Sequence, residues 1–358
     1  KVLMGGANRM IEVIKHGVLL GKSGLGFEHD GVLNPGVIRV DDNVHMFYRA
    51  VGKGNYSSLG YCIFKGPHEL TYRSDIPVMF PQFAYENHGV EDPRITKIGD
   101  VYYLTYTAYD GLNALGAYAT STDLIKFVKQ GFLVPMIAFD EFAHLAGAGH
   151  PLNEKYFRFN NPGLIADTLK SQLYVWDKNV IFFPRLINNQ FVFLHRIKPD
   201  IQIVKVDSLE ELNHEFWQNY FLKFHEHIVL TPENPHEVSY IGGGCPPIET
   251  KAGWLLIYHG VYDTPKGYVY NACASLLDLN NPQIEISRLP YPLFQPELDW
   301  ELSGEVNNVC FPTGAVVFDE RLYIYYGAAD ERIATVSMVL DDLIAELLLY
   351  QNPIFDAS

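Results

Sequence analysis

The sequence predicts an all-β chain with a five-bladed β-propeller fold. Three observations lead to this prediction. One short pattern recurs five times, each copy joins two strands through a turn, and the copies together span most of the 358 residues. A single four-stranded sheet cannot bury both of its faces alone, so this periodicity favours sheets repeated around an axis.

Each copy runs from a proline to a Tyr or His that stands beside a polar residue. The copies cover residues 35–49, 93–107, 184–196, 247–259 and 312–326. We expect each proline to begin a strand, where its missing N–H costs no hydrogen bond of the sheet. Turn-forming residues such as Asp41 and Gly99 precede the aromatic second strand, as expected of a hairpin.

The largest gap between copies separates Pro93 from Pro184 and holds extra residues over about 135–170. The segment that starts at 139–144 and continues to His150 predicts a helical or loop insertion, or a lid, between blades 2 and 3. The repeats leave no room for a linker, so we predict one domain over residues 1–358. A double β-sandwich is the structural alternative, and the five matched hairpins favour the propeller.

Composition limits the classes of partner. The net charge of −15 argues against nucleic acid and anionic membranes. The chain has no run of eighteen apolar residues and no leader pattern, although it starts at Lys1. This leaves a periplasmic or a cytoplasmic location open, and the sequence is equally compatible with a monomer and a homo-oligomer.

The cysteines and histidines do not predict a metal site. Cys62, Cys245, Cys273 and Cys310 lack the spacing of metal ligands and are expected to be buried free thiols. The histidines form no triad of recognisable spacing, so we predict neither a metal nor an organic cofactor.

Polar residues concentrate at two places in the repeat. One set comes just before or within each first strand, and a second set follows the aromatic strands. The first set contains Asn34, Glu91, Asp92, Arg94, Lys178, Asn179, Gly242, Gly243, Gly244, Asn307 and Asn308, and the second contains Arg49, Asp110, Arg196, His259 and Asp330. Carboxylates, cations and amides that converge on one mouth are typical of a site that cleaves glycans.

Several of these residues also have a purely structural interpretation. Asp92 could cap a turn and pair with Arg94, His259 could be a core histidine, and Asp330 could form a turn. The glycines at 242–244 lack the Gly-Lys-Ser/Thr ending of a nucleotide loop and indicate close backbone packing instead. Two acids and an arginine at the start of an inner strand are costly unless they are used, which favours a functional role for 91–94.

These motifs together resemble glycoside hydrolase family 130, which comprises β-mannoside phosphorylases and β-mannosidases. The resemblance covers Asn34-Pro35, Tyr48-Arg49, Glu91-Asp92-Pro93-Arg94, His195-Arg196, the 241–248 segment, 253–260, 311–314 and 326–330. It implies a five-bladed propeller, an inverting attack on a β-mannosidic bond and no metal or organic cofactor.

The resemblance also implies roles for individual residues. Asp92 is the acid, and it protonates the glycosidic oxygen indirectly through the 3-hydroxyl of the mannose that is released. Asn34, Arg49, Arg196 and Asp330 hold that mannose. We expect further contacts to the carbohydrate from Glu91, Arg94, Asp110, Tyr240 and Phe311.

The attacking group depends on the cations of the site. If phosphate attacks, Lys178, Asn179 and His259 would bind it. Ser58 and Tyr240 stand where the resemblance implies an arginine and a lysine, which weakens this reading.

Hydrolysis instead requires a carboxylate base, for which Glu305, Glu249 and Asp263 are the candidates. We therefore expect an inverting β-mannosidase that uses water. The alternative is a phosphorylase that uses inorganic phosphate as co-substrate and releases α-mannose 1-phosphate. A glycan-binding propeller without catalysis is the third reading, and the Glu91-Asp92 pair argues against it.

Overall fold

The computed structural model describes residues 11–163, 169 and 172–352, and its strands form five antiparallel units in chain order. Strand β1 (Ile14–Leu20) comes first in the chain and joins the fifth unit. The first unit contains β2 (Gly31–Val40), β3 (Asn43–Gly52), β4 (Tyr56–Lys65) and β5 (Glu69–Arg73). The second contains β6 (Gly89–Ile98), β7 (Val101–Tyr109), β8 (Ala114–Ser121) and β9 (Val128–Phe132). One parallel bridge, between Ser57 and Gly89, links these two units.

The remaining three units follow the same order. The third contains β10 (Lys178–Phe182), β11 (Phe191–Arg196), β12 (Ile201–Val206) and β13 (Ile228–Leu230). The fourth contains β14 (Tyr240–Gly243), β15 (Ile248–Thr250), β16 (Gly253–Thr264), β17 (Gly267–Leu277) and β18 (Glu285–Arg288). The fifth contains β19 (Cys310–Phe318), β20 (Arg321–Ala328) and β21 (Arg332–Val339), and β1 pairs with β21 as its outer strand.

Helices lie outside the sheets. They are α1 (Phe139–Gly149), α2 (Glu154–Phe159), α3 (His214–Leu222), α4 (Asp299–Leu302) and α5 (Leu340–Leu348). The first two confirm the predicted helical insertion as far as residue 163; residues 164–168 and 170 of that insertion lie outside the described part of the chain.

The prolines do not begin the first strands, so that prediction was wrong. Pro35, Pro93 and Pro312 lie inside β2, β6 and β19, at points where the pairing register shifts. Pro184 and Pro247 lie after β10 and β14. A β-bulge leaves a residue without a ladder hydrogen bond, which is why proline is tolerated there.

The first strands of neighbouring units approach one another closely, and the fifth also approaches the first. A Cβ atom on Gly36 would lie 2.7 Å from the Pro93 carbonyl oxygen, and one on Gly314 would lie 2.8 Å from that of Pro35. The successive approaches are Gly36 to Pro93, Thr96 to Phe182, Gly243 to Asn179, Gly244 to Pro312 and Gly314 to Pro35. These first strands therefore follow one another in cyclic order.

The apolar core has the same cyclic order. Among the described residues it divides into five clusters, and each cluster joins side chains of two neighbouring units. Phe142 and Tyr156 of the insertion pack into the cluster between the second and third units. The cluster that joins the fifth unit to the first includes Val316 and Met46. All four cysteines are buried and free, as predicted.

A buried carboxylate binds the aromatic side chain near the end of each second strand. The Tyr48 hydroxyl donates to Glu28 at 2.7 Å, and the Tyr258 hydroxyl donates to Glu237 at 2.7 Å. The corresponding pairs in the second, third and fifth units are Tyr106 with Glu86, His195 with Asp177 and Tyr326 with Glu301. We call these five pairs the carboxylate latches.

A cation balances four of the five latches. Arg73 lies 2.8 Å from Glu28, and Arg288 lies 3.0 Å from Glu237. Lys129 and Lys15 play this part for Glu86 and Glu301. In the third unit, His195 instead bonds to Asp177 through Nδ1 and to the Tyr220 hydroxyl through Nε2. Because each carboxylate is paired and hydrogen-bonded, it can remain buried.

In the part of the chain that the structure describes, none of the helices is both long and apolar enough to cross a bilayer.

The Tyr258→Phe variant tests a latch. Loss of the hydroxyl leaves the buried Glu237 with one hydrogen bond fewer, so we expect the free energy of unfolding to fall by about 1–3 kcal/mol. Denaturant unfolding of Tyr258→Phe measures this effect. The exposed Tyr72→Phe is the control, and equal stability of both variants with the wild type would contradict the assignment.

Candidate active site

Three polar residues share a strained backbone conformation at the bulges of the first strands. Asn34, Asp92 and Asn179 have φ angles of 48°, 49° and 57°. Asn and Asp occupy this left-handed region more readily than other residues that carry a side chain. Such strain is concentrated at functional sites, and here it belongs to residues that line one cavity.

The latches place the second set of residues. Successive side chains of a strand point to opposite faces, so the residue after each latched aromatic side chain points away from it. Arg49 follows Tyr48, Arg196 follows His195 and His259 follows Tyr258. All three line the same cavity as the bulge residues.

The cavity has a volume of about 270 Å³ and is lined mainly by polar side chains. Its lining residues are Asn34, Arg49, Asp92, Trp176, Lys178, Asn179, Arg196, Lys198, Tyr240, His259, Tyr270, Val306, Val309, Phe311 and Asp330. We call it the central cavity. The structure thus brings together ten residues that the sequence analysis selected for the site, from all five units and from the turn after β20.

One side of the central cavity carries carboxylates held by Arg49. Its guanidinium lies 2.9 Å from Glu91 and 3.8 Å from Asp92. Asn34 Nδ2 donates to Asp92 Oδ1 at 2.7 Å. Burial raises the pKa of Asp92, but Arg49, Arg94 and Lys178 outweigh this effect and hold its pKa below the usual range. Asp92 is therefore an ionised carboxylate at neutral pH.

Arg94 stabilises the backbone around Asp92. Its guanidinium donates to the carbonyl oxygens of Asp92, Gly243 and Gly244 at 2.8–3.1 Å, so its donors are engaged by the backbone. Burial lowers its pKa to about 10. Arg94 was expected to contact the carbohydrate, but it does not line the central cavity. It instead fixes the strained backbone at Asp92.

A second group of lining residues in the central cavity, which we call its cationic side, carries cations. Lys178, Arg196 and Lys198 lie here with His259. Burial lowers the pKa of Lys178 and of Arg196, and same-sign neighbours lower the pKa of Lys178 further. Burial, followed by Arg196 and Arg94, puts the pKa of His259 well below its usual value, so its ring is neutral.

Several buried polar atoms of the cavity lack a partner among the described residues. They are Oδ1 of Asn34, both side-chain polar atoms of Asn179, Nε of Arg196 and Nδ1 of His259. An unsatisfied buried polar group costs about 1–3 kcal/mol, so native sites keep such groups mostly where a ligand binds. These atoms are available to hold a polar ligand.

The glycines at 242–244 serve close packing, in agreement with the structural interpretation. A Cβ atom on Gly242 would lie 2.5 Å from the His259 ring and 2.7 Å from Asn179 Nδ2. One on Gly244 would lie 2.6 Å from the Ile257 carbonyl oxygen. The glycines allow both cavity side chains to lie against β14.

The structure separates the three candidate bases. Glu249 lies on β15, is half-exposed and pairs with Arg185 at 2.7 Å, so it does not line the cavity. Asp263 is exposed near the end of β16. Glu305 lines a larger neighbouring cavity of about 900 Å³ that shares Arg49, Val306 and Asp330 with the central one.

Asp110 also lies away from the central cavity. Its carboxylate accepts hydrogen bonds from the backbone N–H groups of Leu112 and Asn113 and from the Asn113 side chain. It therefore closes the turn between β7 and β8, which is the common structural role of an aspartate at such a place.

Five cavity residues were not predicted from the sequence: the apolar Val306 and Val309, and Lys198, Trp176 and Tyr270. Lys198 comes two residues after Arg196, beyond the end of β11, and Trp176 precedes the polar pair 178–179. Proximity to a motif was the available signal for these two. Tyr270 lies on β17, which carries none of the sequence motifs, and its hydroxyl hydrogen-bonds to that of Tyr240.

One group of potential metal ligands exists among the described residues, formed by His236, Glu237 and Cys273. The Glu237 carboxylate already accepts bonds from Tyr258 and Arg288, as part of a latch. None of the three lines the central cavity, so we assign no metal to the site.

Comparison with known proteins agrees with this geometry. A family model described as beta-1,4-mannooligosaccharide phosphorylase matches residues 28–348. A 1,2-beta-oligomannan phosphorylase from Thermoanaerobacter sp. (strain X514) is 33% identical over 337 residues, which cover 91% of this chain and 96% of that protein. A beta-1,2-mannobiose phosphorylase from the same strain is 33% identical over 86% of this chain and 89% of its own length.

A solved structure also matches. The beta-1,2-mannobiose phosphorylase from Listeria innocua superposes with a TM-score of 0.70 at 22% identity, over 94% of this chain and 99% of that one. Fold and site thus define an enzyme that acts on mannosides. The chain belongs to glycoside hydrolase family 130. The expected use of water finds no support in these relatives, whose names favour the phosphorolytic alternative.

Asp330 offers a test of the charge balance. Burial raises its pKa to about 6, with a contribution from Asp92 and opposition from Arg49. Because its folded pKa exceeds the usual 3.8, the folded state binds the extra proton between about pH 4 and pH 6, and stability falls as pH rises through this window.

At pH 7 we expect the free energy of unfolding of Asp330→Asn to exceed that of the wild type by about 1–2 kcal/mol, after allowance for solvent screening. At pH 4 we expect the two proteins to be equally stable. Asparagine also tolerates the φ of 51° at this position. Denaturant unfolding at the two pH values measures the difference, and mannoside cleavage should fall at the same time. A variant that is less stable at pH 7 would contradict this account.

Proposed function

We propose that this protein is an inverting β-mannoside phosphorylase that uses inorganic phosphate to cleave β-1,2-linked manno-oligosaccharides. The observation that carries the proposal is the cationic side of the central cavity, where buried donors face the residues of the predicted acid. The relatives that are 33% identical over most of the chain support both the phosphate and the β-1,2 linkage.

We further propose that the five units are the blades of one propeller domain. The cyclic order of the first strands and the five inter-unit clusters support this arrangement. In a propeller, the first strands lie next to the axis, which agrees with their contribution to the central cavity.

The proposed reaction is one displacement at the anomeric carbon. A phosphate oxygen forms a bond to C1 of the terminal mannosyl residue from the face opposite the leaving group, and the β-glycosidic C1–O bond breaks. The leaving oxygen receives a proton from Asp92, relayed through the 3-hydroxyl of that mannose. The products are α-mannose 1-phosphate and a mannoside shortened by one residue.

The cationic side is the proposed phosphate site. Lys178 and Arg196 provide charge, and Asn179 and Arg196 provide unpartnered polar atoms. Charge-assisted hydrogen bonds of this kind hold a phosphate more tightly than neutral donors do. Neutral His259 can donate one further hydrogen bond from Nδ1, which lacks a partner among the described residues.

Phosphate also prepares the acid. In the empty cavity, Arg49, Arg94 and Lys178 hold the pKa of Asp92 low, which disfavours the protonated form that an acid requires. A bound dianion adds negative charge beside Lys178 and offsets part of this effect, so the pKa of Asp92 rises. Protonation of the acid is thus coupled to the arrival of the nucleophile.

The carbohydrate occupies the other side in this proposal. Asn34, Arg49 and Asp330 surround the position next to Asp92, and Asp330 and Arg49 also border the larger cavity. That cavity, lined in part by Glu305, is wide enough for further sugar residues of the substrate.

The first experiment is incubation with β-1,2- and β-1,4-mannobiose, each with and without inorganic phosphate, followed by identification of the products. We expect mannose 1-phosphate from the β-1,2 substrate, and only when phosphate is present. Free mannose formed at equal rates in both buffers would establish hydrolysis, and Glu305 would then be the first residue to test as a base.

The Asp92→Asn variant tests the acid. We expect kcat to fall by two orders of magnitude or more while binding of the mannoside largely survives, because a lost proton donor affects the transition state and not the ground state. Asparagine keeps the backbone conformation at φ 49°. Undiminished kcat in the variant would contradict the role of Asp92.

A further inference from the structure

A lysine outside all the sequence motifs lies at the centre of the cationic side. Lys198 Nζ lies 3.8 Å from the centroid of the Tyr240 ring. The guanidinium carbon of Arg196 lies 5.5 Å from the same centroid. The Phe159 ring from α2 is 5.5 Å from Lys198 Nζ on another side. Two aromatic rings therefore fix the ammonium at the wall of the central cavity.

This ammonium has no partner of opposite charge in the described ranges 11–163, 169 and 172–352. The salt bridges and hydrogen bonds there join no carboxylate to Lys198. Its charged neighbours are Arg196 and Lys178, both cations, and with burial they lower its pKa to about 6. At neutral pH an amine with this pKa is mostly uncharged, and an anion bound beside Arg196 and Lys178 raises the pKa of Lys198 and so favours its ammonium form.

The contact with Tyr240 indicates a role for Lys198. The resemblance implies a lysine at position 240, where this chain has a tyrosine whose hydroxyl hydrogen-bonds to Tyr270. The face of the tyrosine ring then holds an ammonium that comes from the neighbouring third unit. The fourth unit lacks a lysine at position 240, and Lys198 of the third unit places its side-chain nitrogen next to that position.

We propose that Lys198 is a phosphate-binding residue that replaces the cation absent at position 240. This inference rests on the proposed function, since it assigns one more ligand to the same anion. Lys198 then supplies one of the two cations that Ser58 and Tyr240 do not provide, which weakens the case against phosphate.

The test moves the charge between the two positions. Lys198→Met removes the ammonium and keeps an unbranched apolar stem, Lys198→Arg keeps a cation, and Lys198→Met/Tyr240→Lys returns the lysine to position 240. We expect Lys198→Met to raise the KM for phosphate at least about tenfold, with the KM for β-1,2-mannobiose changed less than twofold. The arginine variant and the double variant should recover most of the phosphate affinity.

Lys205→Met is the matched control. Lys205 belongs to the same unit, is also partly buried with a lowered pKa, and bonds to Asn281 and Gln283 away from the central cavity. Both KM values should be unchanged in this variant. An unchanged KM for phosphate in Lys198→Met, or an equal rise in both KM values, would overturn the assignment.

Calorimetric titration of inorganic phosphate into the wild type and Lys198→Met separates this inference from the proposed function, since it needs no turnover. Phosphate-dependent cleavage with equal phosphate binding by both proteins would overturn the role of Lys198 alone. Phosphate binding that depends on Lys198 while cleavage ignores phosphate would support the site and overturn the phosphorylase.

Discussion

The arrangement of this enzyme depends on a carboxylate buried beneath each second strand. A buried charge is tolerated only when it is paired and hydrogen-bonded, and Glu28, Glu86, Glu237 and Glu301 each bind a tyrosine hydroxyl and a cation. The latch fixes the strand at the residue before a cavity side chain. The backbone of Arg49, Arg196 and His259 is therefore fixed by the latch at the preceding residue. The same latch joins each sheet to the loop that precedes it. The repeated interaction thus stabilises the fold and also positions the site.

The site itself divides by charge. Asp92 and Asp330 line the central cavity near Arg49, which also pairs with Glu91, and Lys178, Arg196 and Lys198 form its cationic side. On the cationic side, like-charged neighbours lower the pKa of Lys198, and several polar atoms have no partner among the described residues. In our proposal, a bound phosphate dianion supplies the missing partners and also changes the charge that Asp92 experiences. Substrate recognition and acid catalysis are linked through electrostatics across one small cavity.

Much of this was predictable from the sequence, because the repeated hairpins and their polar flanks identify the units and most cavity residues. The predictions failed where tertiary contacts decide the outcome. Pro35 and Pro93 can lie inside strands because each stands at a β-bulge, where the sheet needs no hydrogen bond from an N–H group at that residue. Glu249 is adjacent to a site motif, yet Arg185 pairs with it outside the cavity. Lys198 was missed because sequence counting cannot show that a residue of the third unit reaches Tyr240 of the fourth. The latch carboxylates also precede their tyrosines by twenty residues or more, and only the folded chain brings them together.

The central claim is that phosphate, and not water, is the partner of the mannosyl group, and the reverse reaction tests it most directly. The enzyme is incubated with α-mannose 1-phosphate and a β-1,2-linked mannobiose acceptor, without added phosphate. The account predicts longer β-1,2-linked oligosaccharides and release of one inorganic phosphate for each mannose added. Absence of any chain elongation from α-mannose 1-phosphate, while the enzyme still releases free mannose from mannobiose, would contradict it.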